Sequence, residues 1–187
     1  MNAWGLPITA VIGAVTYSLN TDYRDVLDIL QRLGNMDDPE YIRWSVALAL
    51  FFEEGVPKGD QAEAMQYLAT FINGGESSDA HAKREPKKLD WQQDAGMIVA
   101  DINKVAGCEI RALPYMHWWT FLAYFNAIGE GQLSTVVSIR DKLRRGRKLE
   151  KWEQEYYREN KARVDLKQSY SAEELAEQAR LNALLGE

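Results

Sequence analysis

The sequence contains few of the residues on which disulfides, metal sites and acid–base catalysis depend. Its 187 residues include one cysteine, Cys108, and two histidines, His81 and His117. One cysteine excludes an internal disulfide framework and is typical of proteins in a reducing cytosol. A zinc site needs three or four ligands at suitable spacing, which this sequence does not offer, so we expect no metal and no cofactor.

Long apolar runs and a basic N-terminus are missing as well. The most apolar stretch, from Pro114 to Ile128, is interrupted by polar residues and is shorter than the roughly 20 residues that a membrane-spanning helix needs. No Lys or Arg precedes Arg24, so a secretory signal peptide is not expected. We therefore expect a cytoplasmic protein without a membrane partner.

The motifs of the common enzyme classes are absent too. The sequence has no Walker loop, no dinucleotide fingerprint, and no GxSxG or HExxH motif. Its net charge of −6 and its pI of about 5.1 argue against a general nucleic-acid binder, which needs a broad basic face. These features predict a non-enzymatic protein that binds other proteins and has no specific nucleic-acid partner.

The sequence does have enough apolar material for a core, arranged in a mainly helical pattern. Apolar residues make up 46% of the chain and aromatic residues 11%. Ile8 to Ile12 and the alternating residues Val15 to Leu19 predict two strands, joined by a turn at Gly13-Ala14. Helical stripes follow. The predicted fold class is mainly α: a helical bundle-like domain with a small N-terminal β-hairpin and charged C-terminal helices.

Local signals predict where the helices begin and end. Thr21 is predicted to cap the first helix, and a capping box of Asp60 and Glu63 to start the third. Asp90 is predicted to cap a helix that ends at Gly107. The later predicted helices cover residues 114–128, 132–143, 147–163 and 172–185, the last after a capping box of Ser171 and Glu174.

A polar segment divides this helical pattern. Residues 74–89 contain Gly, Ser, Pro and four Lys or Arg residues, which indicates a mobile linker or loop. The segment separates residues 1–73, the hairpin and first helices, from residues 90–187, the remaining helices. A single domain that carries this segment as a loop is the alternative.

The most apolar predicted helix carries the sequence His117-Trp118-Trp119. His117 lacks the neighbours needed for catalysis or metal binding, so we interpret it as a structural residue that donates a hydrogen bond to a carbonyl or carboxylate. Adjacent helical residues point about 100° apart, so we predict that Trp118 or Trp119, but not both, is largely buried. The other ring is a candidate interface residue, because Trp is enriched in protein interfaces.

Charge is distributed unevenly near the C-terminus. From Arg140 to Lys151 there are seven cations and two acidic residues, a net charge of +5, which leaves −11 for the rest of the chain. This stretch is interpreted as a docking patch for an acidic protein surface or for nucleic acid, and a solvated helix face is the alternative. Asp94 and Asp101 lie on one predicted helix face. They could contact a shared partner or could simply be solvated, and both interpretations remain open. The candidate protein-binding residues are Trp118, Trp119, Arg140, Arg144, Arg145, Arg147 and Trp152.

The order of residues between 89 and 140 resembles a known family. The residues that carry the resemblance are Asp94, Ile98, Gly107, Ile110, His117-Trp118-Trp119, Phe121 and Ile139-Arg140. Their order is similar to that of the gp-fifteen family of siphophages that infect Gram-positive bacteria. Leu6-Pro7 and Asp22-Tyr23-Arg24 resemble the opening of the same family, and the likeness covers most of residues 6–160. Cys108-Glu109-Ile110 departs from the Ile-Asp-Leu that family members tend to have there.

The resemblance implies a tail assembly chaperone. Such a protein would coat the phage tape-measure protein, help tail-tube subunits assemble on it, and leave before the virion is complete. The tape-measure protein is the expected partner, the tail-tube protein and a second chaperone product are further candidates, and a homo-oligomer is left open. The expected location is the host cytoplasm and not the mature virion. The alternative is a structural or connector protein retained in the tail. The role of the residues after Lys161 is open.

Overall fold

The structure, a computed structural model, describes residues 4–76 and 87–167. Its two strands are β1 (Thr9–Ile12) and β2 (Val15–Ser18). Its helices are α1 (Tyr23–Gly34), α2 (Glu40–Phe51), α3 (Gln61–Ile72), α4 (Ala95–Ala106), α5 (Trp118–Asn126), α6 (Gln132–Arg144), α7 (Lys151–Glu159) and α8 (Lys161–Val164). Two short 3-10 helices, Lys58–Asp60 and Ile110–Ala112, precede α3 and α5. The predicted fold class is confirmed. None of the helices that the structure describes is both long and apolar enough to cross a bilayer.

The hairpin forms as its alternating sequence predicts. β1 and β2 pair antiparallel, with Thr9 opposite Ser18. Gly13, at a φ of 59°, adopts the left-handed conformation that the first central position of this two-residue turn requires. The inner face is buried in the core, and its residues are Ala10, Ile12 and Tyr17.

Later parts of the chain contact both edges of this small sheet. On the β1 side, the Tyr67 hydroxyl of α3 donates to the Thr9 carbonyl at 3.3 Å, and the Glu63 carboxylate accepts from the N–H of Gly13 at 2.9 Å. On the β2 side, the backbone N–H of Glu53, just after α2, donates to the Ser18 carbonyl at 3.1 Å. The predicted capping box at Asp60 is therefore wrong, because Glu63 is bonded to the hairpin turn instead.

The buried apolar residues form one cluster that extends from Ala10 in β1 to Val164 in α8. Aromatic rings contribute much of it: Tyr23 stacks on Phe121 with ring centroids 4.8 Å apart, and Phe121 stacks on Trp118 at 5.4 Å. Elements before and after residues 77–86 therefore share this core. Most of the predicted linker 74–89 and all of the predicted helix 172–185 lie outside the described residues, so both stay predictions.

The sequence predicted Thr21 as the N-cap of α1, and this prediction is wrong. The cap is Asp22, whose carboxylate accepts from the N–H of Arg24 at 3.0 Å. Thr21 is buried instead, and its hydroxyl shares a hydrogen bond of 2.7 Å with the hydroxyl of Tyr115. A tertiary contact has thus displaced the predicted helix start by one residue.

Two later helices also begin further along than predicted. Asp90 caps a turn rather than a helix, because its carboxylate accepts from the N–H groups of the second and third residues after it, and α4 begins only at Ala95. The predicted helix from Pro114 is not helical in its first four residues, and α5 begins at Trp118. The end of α4 is as predicted, with Gly107 in the left-handed conformation at a φ of 69°.

Candidate protein-binding surface

His117 connects the start of α5 to the segment before the hairpin. Its Nδ1 accepts a hydrogen bond from the N–H of Trp119 at 3.0 Å. The ring proton must then lie on Nε2, which donates to the carbonyl of Pro7 at 3.1 Å. Both nitrogens are engaged within the fold and the side chain is buried. The structural role predicted for His117 is confirmed.

The two adjacent tryptophans hold the end of α3. The indole N–H of Trp118 donates to the carbonyl of Ile72, and that of Trp119 to the carbonyl of Phe71, both at 2.9 Å. The carbonyl of Phe71 also accepts from the N–H of Gly74 at 3.0 Å. The carbonyl of Ile72 lies at the helix C-terminus, where carbonyls lack intrahelical partners, so the bond from Trp118 satisfies a group that would otherwise need water. Trp118 is 1% exposed and is the fully buried ring of the pair, whereas Trp119 is of intermediate exposure and also packs against the core. Binding of a partner by either ring stays a prediction.

His117 should make the stability of the fold depend on pH. Burial lowers the pKa of its imidazole below the ordinary value of 6.5, although the bond to the Pro7 carbonyl acts in the opposite direction. The unfolded chain therefore binds the proton more readily than the folded protein does. The stabilisation that depends on a neutral His117 is fully present above about pH 6.5 and is lost as the pH falls below this value.

We therefore expect the urea concentration at the midpoint of unfolding to be lower at about pH 5.5 than at about pH 7.5. His117→Asn should reduce this dependence, because asparagine can still cap α5 but does not titrate. Both proteins are compared with His81→Gln in the background, since His81 is the other histidine. An equal decline with pH in both proteins would contradict the assignment to His117.

Arg140 lies inside the protein, so it does not belong to the exposed patch predicted from the sequence. It is 7% exposed, and its guanidinium forms a two-point ion pair with Asp94, with N–O distances of 2.6 and 2.9 Å. Its other N–H groups donate to the carbonyls of Lys88, Arg163 and Val164. All five guanidinium donors are used. Arg140 thus ties α6 to α8 and to the segment before α4.

Neither alternative for Asp94 and Asp101 holds, because both carboxylates are buried and have separate partners. Asp94 faces Arg140. Asp101 accepts from the N–H of Leu133 at 3.1 Å, in the first turn of α6, where a negative charge stabilises the helix. A Cβ on Gly131 would lie 2.6 Å from Asp101 Oδ2, so the absence of a side chain at Gly131 is what permits this approach.

Five of the cations predicted to form the patch are exposed, and two exposed apolar side chains accompany them. We call this set the basic surface, and it consists of Arg144, Arg145, Arg147, Lys148, Lys151, Leu143 and Trp152. Lys142 is not part of it, because its ammonium lies 2.6 Å from the buried carboxylate of Glu153. Trp152 is 54% exposed, and its indole N–H donates to Glu150 at 3.0 Å.

Asp141 neutralises part of this charge. Its carboxylate oxygens lie 2.8 Å from nitrogens of Arg144 and of Arg145. The hydrogen bond from Arg144 is the main cause that lowers the pKa of Asp141 to about 2. Arg147, Lys148 and Lys151 have no ion-pair partner in the part of the chain that the structure describes. These three cations are the ones most available to an acidic partner.

Sequence reasoning did not identify a group of exposed apolar side chains near the N-terminus. Its members are Trp4, Leu6, Ile8, Val11 and Val15, which are 49% to 97% exposed. They do not share one face, because Val15 lies opposite Ile12 on the inner face of the hairpin and Val11 lies opposite Thr16 on the outer face. A signal for it was available in the sequence. The first 21 residues contain no Asp, Glu, Lys, Arg or His.

Comparison with protein families agrees with the resemblance noted in the sequence. The family model described as Bacteriophage Gp15 protein matches residues 5–166, from the segment before the hairpin to the end of α8. No curated protein and no solved structure matches the chain significantly. The matched region includes Asp94, His117, Trp118 and Arg140, which make the interior contacts described above. The chain therefore belongs to the Bacteriophage Gp15 protein family and is a bacteriophage protein.

Proposed function

We propose that this protein is a tail assembly chaperone that binds the tape-measure protein of its phage through the basic surface. One observation carries the proposal. A chain of net charge −6 concentrates five exposed cations within eight residues, next to a tryptophan that is 54% exposed. Three of these cations have no ion-pair partner among the described residues. Membership of a bacteriophage family is consistent with this role.

The chemistry of the basic surface suits reversible binding of an acidic amphipathic segment. Opposite charge accelerates encounter and sets register more than it adds affinity. Affinity comes mainly from apolar burial, at about 25 cal/mol per Å², and Trp152 is the largest apolar group available in the basic surface. Such binding can be reversed when another protein competes for the segment, as a chaperone requires.

The remaining parts of the proposal concern partners and location. The tail-tube protein and a second chaperone product are further candidate partners. The protein acts in the host cytoplasm, has no catalytic activity and leaves before the virion matures. Support for a non-catalytic role comes from His117, because both of its ring nitrogens are engaged inside the fold.

Reversing the two cations at Arg147 and Lys148 tests the role of the basic surface. Both side chains are exposed and neither pairs with Asp141, so Arg147→Glu with Lys148→Glu should leave the fold intact. We expect the double variant to lose at least about tenfold in affinity for the tape-measure protein. Wild-type binding should weaken as salt rises, because exposed charges are screened.

The matched control makes the same change in charge elsewhere on the molecule. Arg32→Glu with Lys58→Glu replaces two exposed cations, on α1 and before α3. This control should bind the tape-measure protein like wild type in co-purification and in titration. Equal binding by all three proteins, each folded by circular dichroism, would reject the basic surface as the binding site.

Mass spectrometry of purified virions separates the chaperone from its rival. A chaperone that leaves before maturation is expected in lysates of infected cells and is expected to be missing from virions. Detection at a stoichiometric level in virions would instead favour a structural or connector protein of the tail.

A further inference from the structure

The loop between α6 and α7, residues 145–150, contains three of the five exposed cations of the basic surface, and its first half has a defined backbone conformation. The N–H of Gly146 donates to the carbonyl of Leu143 at 3.0 Å, and the N–H of Arg147 donates to that of Lys142 at 2.8 Å. Gly146 has a φ of 64°, in the left-handed region. Two such bonds around a left-handed glycine form the Schellman motif, which ends a helix in one fixed conformation.

Glu153, in the first turn of α7, fixes the other end of this loop. Its side chain is 2% exposed, and one carboxylate oxygen accepts from the N–H of Glu150 at 2.8 Å. The other oxygen lies 2.6 Å from the ammonium of Lys142, in the last turn of α6. A buried carboxylate needs such partners, so Glu153 joins the start of α7 to the end of α6.

Leu149 attaches the loop to the core between these two ends. It is 8% exposed, and its carbonyl accepts from the side-chain amide of Gln154 at 2.8 Å. Arg147 and Lys148, just before it, are exposed and have no ion-pair partner among the residues that the structure describes. The side chains that hold the loop are therefore not the cationic side chains that it presents to solvent.

We propose that the basic surface is preformed in the free protein and that Glu153 is the residue that positions it. The inference rests on the proposed function, because it concerns binding at the same surface. Binding to a preformed loop avoids the entropic cost of ordering that loop. Fixed positions of Arg147, Lys148 and Lys151 also favour a partner whose acidic side chains have the matching spacing, because charges across an interface set its register.

Hydrogen–deuterium exchange of the free protein, followed by NMR, tests whether the loop is preformed without any partner. In wild type the amides of Gly146, Arg147 and Glu150 should exchange at least about tenfold more slowly than in an unstructured chain, because each is bonded within the fold. Glu153→Ala should remove the protection of Glu150 and leave that of α2 unchanged. Unprotected amides at all three positions in wild type would overturn the proposal.

Binding measurements separate a positioning role from an effect of charge. Glu153→Ala removes a negative charge from beside the basic surface, so electrostatics alone would strengthen the binding of an acidic partner. If Glu153 positions the loop, this variant should instead lose at least about tenfold in affinity for the tape-measure protein, measured by titration. Glu153→Gln should bind more tightly than Glu153→Ala, because its amide oxygen can still accept from the N–H of Glu150.

Glycine variants repeat the test without a change of charge, and they decide the outcome if Glu153→Ala does not fold. Gly146→Val should weaken binding similarly, because a β-branched residue resists the left-handed conformation, whereas Gly146→Asn tolerates it and should bind like wild type. Apart from its chain neighbours, no described atom lies within 4 Å of a Cβ added at Gly146, so a clash is not the cause. Gly107→Val is the matched control, at a φ of 69° at the end of α4, and should bind like wild type.

Failure of this inference can be distinguished from failure of the proposed function. If Gly146→Val and any folded Glu153→Ala bind like wild type, while Arg147→Glu with Lys148→Glu loses binding, the positioning role is overturned and the proposed function stands. If the double variant itself binds like wild type, the basic surface is not the binding site and both proposals fail.

Discussion

Arg140→Ala is expected to lower the free energy of unfolding by about 3–5 kcal/mol, because it removes one partner of a buried ion pair. Asp94, which is 0% exposed, would be left as a buried carboxylate without its cation. The backbone carbonyls of Lys88, Arg163 and Val164 would lose their hydrogen-bond donors as well, and the last two of these residues are at the end of α8. Urea unfolding followed by circular dichroism measures the change.

Two further variants identify the cause. Arg158→Ala removes a 76% exposed arginine whose partner lies 3.9 Å away, and should change stability by less than about 0.5 kcal/mol. Exchanging the pair, as Asp94→Arg with Arg140→Asp, should not restore stability, because a carboxylate would then face the three carbonyls. A loss below about 1 kcal/mol for Arg140→Ala would contradict the structural role assigned to this residue.

Trp118→Ala should have an effect of similar size, about 3–5 kcal/mol, because it empties the space of a large buried ring. The ring is 1% exposed, stacks on Phe121, and bonds the carbonyl of Ile72. Trp118→Phe should keep most of the apolar burial but lose the indole N–H, and should fall between wild type and Trp118→Ala.

Trp152→Ala is the matched control for this prediction. Its side chain is 54% exposed, so removing it should change stability by less than about 0.5 kcal/mol. Partner binding should show the reverse order, with Trp152→Ala weakening binding of the tape-measure protein while the protein remains folded. Equal losses of stability in Trp118→Ala and Trp152→Ala would mean that the burial described for α5 is wrong.

The elements that depend on neighbouring residues could be predicted from the sequence. The alternation of Val15 to Leu19 and the position of Gly13 indicated the hairpin, and the structure has it within one residue. Gly107 was predicted to end α4 and does so in the left-handed conformation. In each case the determining interaction lies within a few residues, so a local pattern contains the information.

The charged residues of the interior could not be predicted in this way. Asp94 and Arg140 are 46 residues apart. Each is a charged residue of the kind usually found at the surface, so its burial cannot be inferred until its partner is known. Glu63 has the spacing of a capping box, yet it bonds to Gly13, which is 50 residues away. A single sequence does not show which distant residues meet, so the sequence placed these groups on the surface.

The residues that stabilise the fold differ from those that are proposed to bind a partner. The residues that carry the family resemblance and are described above, His117, Trp118, Asp94 and Arg140, are buried and bonded to other parts of the chain. The residues proposed to bind a partner are those of the basic surface, which are exposed. The residues that identify the family therefore chiefly stabilise the fold, and recognition is proposed for other positions.

Hydrogen–deuterium exchange of the protein, free and bound to the tape-measure protein of its phage, tests the proposed binding site most directly. Binding at the basic surface should slow exchange in residues 141–152, whose charged side chains are largely exposed in the free protein. Exchange in α5 should change little, because its tryptophans are already engaged with α3. A complex that forms without protecting residues 141–152 would contradict the proposed site, and failure to form any complex would contradict the chaperone function itself.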